Sequence, residues 1–247
     1  MSVSVCMATF NGSNYIEKQL ASIIIQLQDT DEIIIVDDAS TDSTIEIIKS
    51  FNDNRIKSYI NAVNHGHVYS FSLALSLSSN EIIFMSDQDD IWLPYRVNIM
   101  CSALNKSQAM VLSSNSEFLV DSKPSLVCLF EGVLESTSSS NISNIASIFL
   151  GHIRYYGCAM AIKREFLKII LPIPDYVESH DLWIAIAANL AKRNLHIDKN
   201  TLIRRVHLNN ASILSRPFSK KIWSRVIFFL SLINIEYRLF RNKNSFK

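Results

Sequence analysis

The sequence predicts an α/β protein with a mostly parallel sheet flanked by helices, and three observations support that fold class. Strand-like and helix-like segments alternate from the N-terminus to about Asn105. Several strand-like runs, such as "EIIIV" at 32–36, are uniformly apolar, as in parallel strands covered on both faces. Of the 247 residues, 48% are hydrophobic and 19% charged, which indicates a sizeable core.

The first half of the chain consists of four strand–helix units. Each strand is short and rich in β-formers, and each helix carries apolar residues at helical spacing. The predicted strands are 2–10, 32–36, 55–61 and 81–86, and the predicted helices are 15–28, 43–51, 65–78 and 93–104. This order is typical of βαβ units.

The second half has a mixed pattern. Its predicted elements are a strand at 109–120, a Ser-rich excursion at 122–143, a helix at 144–150, a strand at 157–162, helices at 164–170 and 180–194, and a strand pair or extended segment at 196–207. We therefore expect one domain over residues 1–215, with a first half at about 1–110 and a mixed half at about 111–215.

The C-terminal segment, residues 216–247, differs in charge from the rest. It holds eight Lys or Arg and one acid, whereas the whole chain has a net charge of only +1, which gives no case for a nucleic-acid partner. Its longest apolar run, "VIFFLSLINI" at 226–235, is short against the roughly 20 residues that span a bilayer. This basic amphipathic tail either lies on a membrane surface or packs back on the core.

The cysteines and the N-terminus indicate a reducing compartment. Cys6, Cys101, Cys128 and Cys158 are far apart, form no CxxC pair, and read as small buried residues. The first residues run directly into a strand without the pattern of a secretory signal. We expect a cytoplasmic protein.

Polar residues follow each of the first four predicted strands. In open parallel sheets, ligands bind at the carboxyl ends of the strands, so these side chains are candidates for a shared site. They are Thr9 and Asn11, Asp37 and Asp38, Asn64 to Gly66, and Asp87, Asp89 and Asp90.

The carboxylates of "DQDD", residues 87–90, carry the most information. Helix capping explains one Asp at most, and clustered carboxylates repel one another. A divalent cation removes that repulsion, and Mg²⁺ or Mn²⁺ commonly binds one or two carboxylates together with phosphate oxygens. There is no GxxxxGK[ST] and no GxGxxG after the first strand. The pattern therefore predicts a nucleotide diphosphate held through a metal and side chains.

In these segments the chain resembles family 2 glycosyltransferases of the GT-A fold. The resemblance rests on "VSVCMATFNGSNYIEKQLASIIIQ", "DEIIIVDDASTDST" and "FMSDQDDIWLPYRV". The later "GCAMAIKREFL", "HDLWIAIAANLA" and "RRVHLNNAS" are similar to its small bacterial branch, which makes O-antigen and other cell-surface polysaccharides. The resemblance covers roughly residues 2 to 213, and it makes the two halves of the domain a nucleotide-sugar half and an acceptor half.

The resemblance implies a role for each site residue. Thr9, Phe10 and Asn11 would lie at the nucleotide, Asp38 would hydrogen-bond the base, and Gly66 would allow close backbone approach. Asp87 and Asp89 would form the DxD pair, with Asp89 a direct ligand of Mn²⁺ or Mg²⁺ and Asp87 on ribose or metal. Asp90 would support the sugar or acceptor side, and His207 would complete the metal or diphosphate site.

Asp181 of "HDLW" matches the position of the catalytic base. The chemistry agrees independently, because an inverting transfer needs one carboxylate to take the proton of the acceptor hydroxyl. Capping of a helix is the alternative reading for Asp181. Arg204 and Arg205 either neutralise phosphate or are solvated, and His65 and His67 stay undecided.

The function implied is inverting transfer of a single hexose, glucose or galactose in β linkage, from a UDP- or dTDP-sugar. The acceptor would be an undecaprenyl-diphosphate-linked saccharide at the inner face of the bacterial plasma membrane, with the tail on the membrane surface. The chain lacks the Q-x-x-R-W motif of processive synthases. Two alternatives stay open: a rhamnosyltransferase using dTDP-rhamnose, and a non-catalytic nucleotide-binding scaffold subunit.

Overall fold

The computed structural model describes residues 2–120, 132–152, 155–206 and 218–243, and it confirms the α/β fold class. Eight strands form one sheet: β1 Val3–Thr9, β2 Glu32–Asp37, β3 Ile56–Ile60, β4 Ile82–Ser86, β5 Ile91–Trp92, β6 Val111–Val120, β7 Met160–Lys163 and β8 Asn194–Val206. The α-helices are α1 Ile16–Ile24, α2 Thr44–Ser50, α3 His67–Leu77, α4 Arg96–Asn105, α5 Asn141–Leu150, α6 Leu167–Ile170, α7 His180–Leu190 and α8 Phe218–Arg241.

The sheet has the order β3-β2-β1-β4-β7-β6-β8-β5. The four strands predicted in the first half are neighbours and run parallel, with Thr9 paired to Asp37 and Asp37 to Ile60. Their carboxyl ends therefore share one edge, as the sequence predicts.

The parallel strands are covered on both faces, and this explains their unbroken apolar runs. Side chains alternate along a strand, so Ile33 and Ile35 pack in a cluster with α1 and α4. Ile34 and Val36 point the other way, into a cluster formed with α3, α5, α6, α7 and α8. All four side chains are at most 1% exposed.

The prediction left one strand of the second half open and missed one strand of the first half. Residues 194–206 form one long strand, β8, which pairs with β6 in parallel and with β5 antiparallel. Strand β5 was not predicted, because its two residues stand between the carboxylates and Pro94 and give no periodic signal. Strand β7 is the element that joins the two halves, lying antiparallel to both β4 and β6.

The tail forms the helix α8, and one face of it packs on the domain. Ile235 is fully buried, and the ring of Phe228 lies 5.2 Å from that of Phe149 on α5. Arg238 donates hydrogen bonds to the carbonyls of Ile169 and Pro172 and lies 5.1 Å from the ring of Trp183. The core-packing interpretation therefore holds for this face. No helix in the described part of the chain is long and apolar enough to cross a bilayer.

Candidate active site

The ends of β1 and β2 are joined through Thr9. Its hydroxyl donates to Asp37 at 2.8 Å, and its carbonyl accepts from the backbone N–H of Asp38 at 2.8 Å. Ser40 also donates to Asp37, through its backbone N–H and its hydroxyl. Thr9 and Asp37 are buried, so at this end of the sheet they hold the two strands in register.

Asp38 fixes the loop that enters α3. Its carboxylate accepts from Asn61 Nδ2 at 2.8 Å and from the backbone N–H groups of His65 and Gly66 at 2.9 and 2.7 Å. Burial opposes ionisation, but these hydrogen bonds outweigh it and lower the pKa of Asp38. Gly66 precedes α3 with φ of 88°, a conformation that favours glycine. Asp38 and Gly66 thus belong to one structural unit.

Phe10 and Asn11 connect the end of β1 to its neighbours. The backbone of Phe10 exchanges two hydrogen bonds with the amide of Gln88, at 2.9 and 3.0 Å. Asn11 accepts from the backbone N–H of Thr41 at 2.9 Å. The Phe10 ring is 45% exposed and open to a ligand. Gln88, which the sequence did not single out, therefore ties the carboxylate loop to β1.

Asp87, Asp90 and Cys158 form a compact cluster, with one oxygen or sulfur atom of each within 4.8 Å of the others. Continuing the antiparallel register of Phe84 with Ala161 by three residues places Asp87 opposite Cys158. The thiol is thus a component of the site that the sequence analysis missed, since Cys158 read only as a buried apolar residue. Asp89 lies in the same loop and is half-buried.

The cluster is electrostatically costly in the absence of a cation. Burial, reinforced by neighbouring carboxylates, raises the pKa values of Asp87 and Asp90 above the usual range of aspartate. Burial likewise raises the pKa of the Cys158 thiol, with Asp90 and Asp87 adding to the effect. The buried Oδ2 of Asp90 has no hydrogen-bond donor among the described residues.

Arginines surround this cluster. Arg204 is 8% exposed, interacts electrostatically with Asp87 and Asp90, and lies 4.1 Å from the ring of Tyr156, so it is not a solvated side chain. The backbone N–H of Arg205 donates to Asp90 at 3.2 Å. Arg96, which is fully buried and was not predicted as a site residue, donates to the carbonyl of Cys158 at 2.6 Å. Arg204 and Arg205 reach the cluster because β8 pairs with β5, a strand that the sequence did not predict.

Asp181 lies in the first turn of α7 and on the same site. Its charge contributes to the raised pKa of Asp87. Its Oδ1 accepts hydrogen bonds from the Ser179 hydroxyl and from the backbone N–H of Leu182, the latter at 2.8 Å. None of the described residues donates to Oδ2, which leaves this oxygen available to a ligand. His207 lies outside the described residues.

The comparison with protein families decides what kind of site this is. Residues 4–170 match the model of "Glycosyl transferase family 2", which is more than half of the chain. The chain belongs to glycosyl transferase family 2. It is therefore a nucleotide-sugar-dependent glycosyltransferase, and the scaffold alternative is disfavoured.

Two characterised relatives of this family 2 chain span most of its length. The UDP-Glc:alpha-D-GlcNAc-diphosphoundecaprenol beta-1,3-glucosyltransferase WfgD of Escherichia coli is 25% identical over 225 residues, which cover 90% of this chain and 83% of WfgD. The dTDP-rhamnosyl transferase RfbG of Shigella flexneri is 28% identical over 219 residues, covering 83% of this chain and 72% of RfbG.

Solved glycosyltransferases share the GT-A fold of the chain. Staphylococcus aureus TarS 1–349 with UDP-GlcNAc superimposes with a TM-score of 0.71 at 19% identity, covering 100% of this chain and 75% of TarS 1–349. The mannosyltransferase PcManGT of Pyrobaculum calidifontis, with GDP-Man and Mn²⁺, gives 0.64 at 16% identity, covering 98% and 75%. At sequence identities this low, the structural similarity establishes the fold alone.

The site of this glycosyltransferase has the donor set expected for a divalent cation. Two carboxylates with raised pKa values gain most from a positive charge, and Asp90 Oδ2 is a buried acceptor available to it. Carboxylate oxygens suit Mg²⁺ and Mn²⁺, whereas the Cys158 thiol is a softer ligand than these ions prefer. Asp87 and its neighbours in the loop therefore fit the cation, with Cys158 beside them.

We predict that Asp90→Asn stabilises the metal-free protein. The raised pKa means that folding opposes ionisation of Asp90, so wild-type stability falls as the pH rises from the usual pKa of aspartate towards the raised value. Each unit of pKa corresponds to about 1.4 kcal/mol. With EDTA present, the melting temperature of Asp90→Asn should exceed that of wild type by about 3 °C or more at pH 8, and by less at pH 5.

The exposed Asp175 provides the matched control. Asp175→Asn should change stability by less than about 0.5 kcal/mol at both pH values. A lower melting temperature for Asp90→Asn than for wild type at pH 8 would show that this carboxylate is not under electrostatic strain.

Proposed function

We propose that the protein is an inverting, metal-dependent glycosyltransferase that moves one hexose from a nucleoside diphosphate sugar to a lipid-linked saccharide. The observation that carries the proposal is that a cluster of carboxylates and a separate carboxylate, Asp181, meet at one site. The Asp87–Asp90 cluster would serve the diphosphate, and Asp181, whose charge reaches Asp87, would serve the acceptor hydroxyl. One protein carboxylate in the proton-transfer role suffices for inversion, since a diphosphate is a good leaving group.

Asp181 is arranged to take a proton at one defined oxygen. Hydrogen bonds from Ser179 and Leu182 hold Oδ1 and fix the orientation of the carboxylate. Oδ2, which accepts no hydrogen bond from the described residues, would then take the proton of the acceptor hydroxyl. Because the carboxylate is fixed before the substrate binds, little reorganisation accompanies proton transfer.

The donor would lie along the carboxyl ends of β1, β2 and β4. The exposed ring of Phe10 would stack near the base, and the loop held by Asp38 and Gly66 would border it. Asp87 and Asp89 would hold Mn²⁺ or Mg²⁺, which when bound supplies Lewis-acid stabilisation of the departing diphosphate. We propose further that the donor site includes Thr9, Asn11 and Asp90, and that His207 takes part in metal binding.

The relatives supply candidates for the donor and the acceptor. The name of WfgD specifies UDP-glucose and an acceptor on diphosphoundecaprenol, and WfgD aligns with 90% of this chain. We therefore propose a UDP- or dTDP-hexose, glucose or galactose in β linkage, and an undecaprenyl-diphosphate-linked acceptor of O-antigen or other surface polysaccharide synthesis. RfbG, which is named a dTDP-rhamnosyl transferase, supports dTDP-rhamnose as the second candidate.

A panel of donors tests this proposal. Purified protein with Mn²⁺ is given radiolabelled UDP-glucose, UDP-galactose, dTDP-glucose and dTDP-rhamnose, together with a synthetic GlcNAc-diphosphate lipid. We expect transfer from one UDP- or dTDP-hexose, and its loss with EDTA. Transfer from dTDP-rhamnose alone would select the second candidate. No transfer from any donor, to this or other sugar-diphosphate lipids, would contradict the proposal.

We also propose that α8 rests on the inner face of the plasma membrane. Opposite its packed face, α8 exposes a stripe of apolar side chains: Ile222, Trp223, Val226, Phe229, Leu230, Ile233, Tyr237 and Phe240. A groove of about 720 Å³ lies between α8 and α6, and it is lined by Leu230, Ile233 and Tyr237 of this stripe together with Lys168 and Arg241. Apolar residues flanked by basic ones suit an anionic lipid surface, where each Lys or Arg contributes about 1 kcal/mol.

The double variant Ile233→Ser/Phe240→Ser should bind vesicles at least tenfold more weakly than wild type. The two side chains are 69% and 76% exposed, so their replacement leaves the packed face of α8 intact. Burial of a large apolar side chain contributes about 1.5–3 kcal/mol. The measurement is sedimentation with vesicles of phosphatidylglycerol and phosphatidylethanolamine.

Ile25→Ser is the matched control, because Ile25 is 80% exposed and follows α1 instead of lying on α8. The control should sediment like wild type. If the double variant also sediments like wild type, α8 is not the membrane contact.

A further inference from the structure

His180 is a buried imidazole immediately before Asp181, at the first position of α7. It is 6% exposed, and neither ring nitrogen has a hydrogen-bond partner among the described residues. Leaving a buried polar group without a partner costs about 1–3 kcal/mol. An apolar residue would avoid that cost, so the contacts of the ring should explain why a histidine occupies this position.

The ring is held between α3 and a turn of the chain. On one side it stacks on Phe71, with 4.2 Å between centroids and 30° between planes, and it meets the edge of His67 at 5.6 Å. On the other side lies Gly157, where a methyl group would stand 2.6 Å from His180 Nε2 and 3.6 Å from Cβ of Asp181. Gly157 is thus in contact with the ring, and close to the residue that follows it.

The turn Gly157–Ala159 connects this contact to the acidic cluster. Cys158, the next residue after Gly157, is the member of the cluster that lies against Asp87 and Asp90. Gly157 therefore contacts the side of the site that holds Asp181, and the next residue, Cys158, belongs to the cluster proposed to serve the diphosphate. The contact between Gly157 and His180 thus lies one residue from the cluster along the turn and one residue from Asp181 along α7.

We propose that His180 is a positioning residue whose imidazole, resting on Gly157, sets the separation between Asp181 and the Asp87–Asp90–Cys158 cluster. The inference rests on the proposed function, because it assigns importance to where Asp181 lies. Proton abstraction and displacement of the diphosphate occur in one step across the sugar, so the two carboxylate groups must be held at a fixed separation. A displacement of about 1 Å can cost 10²-fold in rate.

The ring acts by shape and not by charge. Burial lowers the pKa of His180 to about 4; the charge of Asp181 opposes this effect and His67 adds to it. The imidazole is therefore neutral between pH 6 and 9, and a variant at this position should change kcat by the same factor across that range. A residue acting as an acid or base would change the shape of the pH profile instead.

A double-mutant cycle tests the contact. Gly157 has no left-handed φ, so Gly157→Ala adds a methyl group without backbone strain. His180→Asn overlays the first atoms of the ring but lacks Nε2, the atom that the methyl group would meet. The four proteins of the cycle are wild type, Gly157→Ala, His180→Asn and Gly157→Ala/His180→Asn. For each protein we measure the melting temperature, kcat, and KM for the donor. Nucleotide titration gives the active fraction, so that kcat is expressed per active molecule.

We expect Gly157→Ala to lower kcat by about 100-fold with a donor KM within about threefold of wild type. In the His180→Asn background, Gly157→Ala should have no further effect, and kcat should stay within about twofold of that of His180→Asn alone. A loss from Gly157→Ala that is equally large in both backgrounds would overturn the inference. So would a lower melting temperature with unchanged kcat per active molecule, which is the signature of a purely structural contact. In either case wild-type turnover would leave the proposed function standing, whereas absence of wild-type turnover with every donor would overturn both.

Discussion

Asp181→Asn should lower kcat by about 10²- to 10⁴-fold, the range that general-base catalysis contributes. The amide retains the shape of the carboxylate, its oxygen can accept the same hydrogen bonds as Oδ1, and the N-cap of α7 is Ser179, so α7 should begin at the same residue. What is lost is the basic oxygen, Oδ2, that accepts no hydrogen bond from the described residues. The measurement is kcat and donor KM with the lipid-linked acceptor at saturation.

Donor binding separates this expectation from misfolding. Because Asp181 acts on the acceptor, the donor KM of Asp181→Asn should stay within about threefold of wild type. Asp175→Asn, six residues earlier on an exposed loop, should keep full activity. Retained turnover in Asp181→Asn would leave helix capping as the role of this residue.

Asp87→Asn should lower kcat/KM by about 10³-fold and abolish stimulation by Mn²⁺. Asp87 directly follows β4, has an oxygen within 4.8 Å of ligand atoms of Asp90 and Cys158, and has a raised pKa, so it gains from a nearby cation. A bound cation contributes several kcal/mol of transition-state stabilisation, and the neutral amide binds it poorly.

A titration of activity against Mn²⁺ concentration tests this expectation. Wild type should show saturable activation, and Asp87→Asn should show a residual rate independent of the metal. Asp89→Asn is the companion variant, since Asp89 is the proposed direct ligand. A Mn²⁺ response in Asp87→Asn equal to that of wild type would remove Asp87 from the metal site and leave Asp89 as the proposed ligand.

The parts of the site that come from neighbouring parallel strands could be predicted from the sequence. Thr9, Asp37, Asp38 and Asp87 each follow an apolar run, and parallel strands necessarily place their carboxyl ends at one edge. Local pattern is enough for such residues, because the fold class alone determines where they meet.

The remaining parts depend on pairings that no local pattern encodes. Cys158 reaches Asp87 only through the antiparallel register of β4 with β7, and the arginines of β8 reach Asp90 only through β5, a strand of two residues. The proposed role of the buried imidazole of His180 likewise depends on its contact with Gly157, which is distant in the sequence. The tail was ambiguous because α8 has two apolar faces, one packed and one exposed.

Titration calorimetry of UDP and dTDP with Mn²⁺ tests the proposal that separate carboxylates serve the donor and the acceptor. Wild type, Asp87→Asn and Asp181→Asn are compared under identical conditions. We expect Asp181→Asn to bind the preferred nucleotide as wild type does, and Asp87→Asn to lose at least tenfold in affinity. Nucleotide affinity that is unchanged in Asp87→Asn, or that is lost in Asp181→Asn, would contradict it.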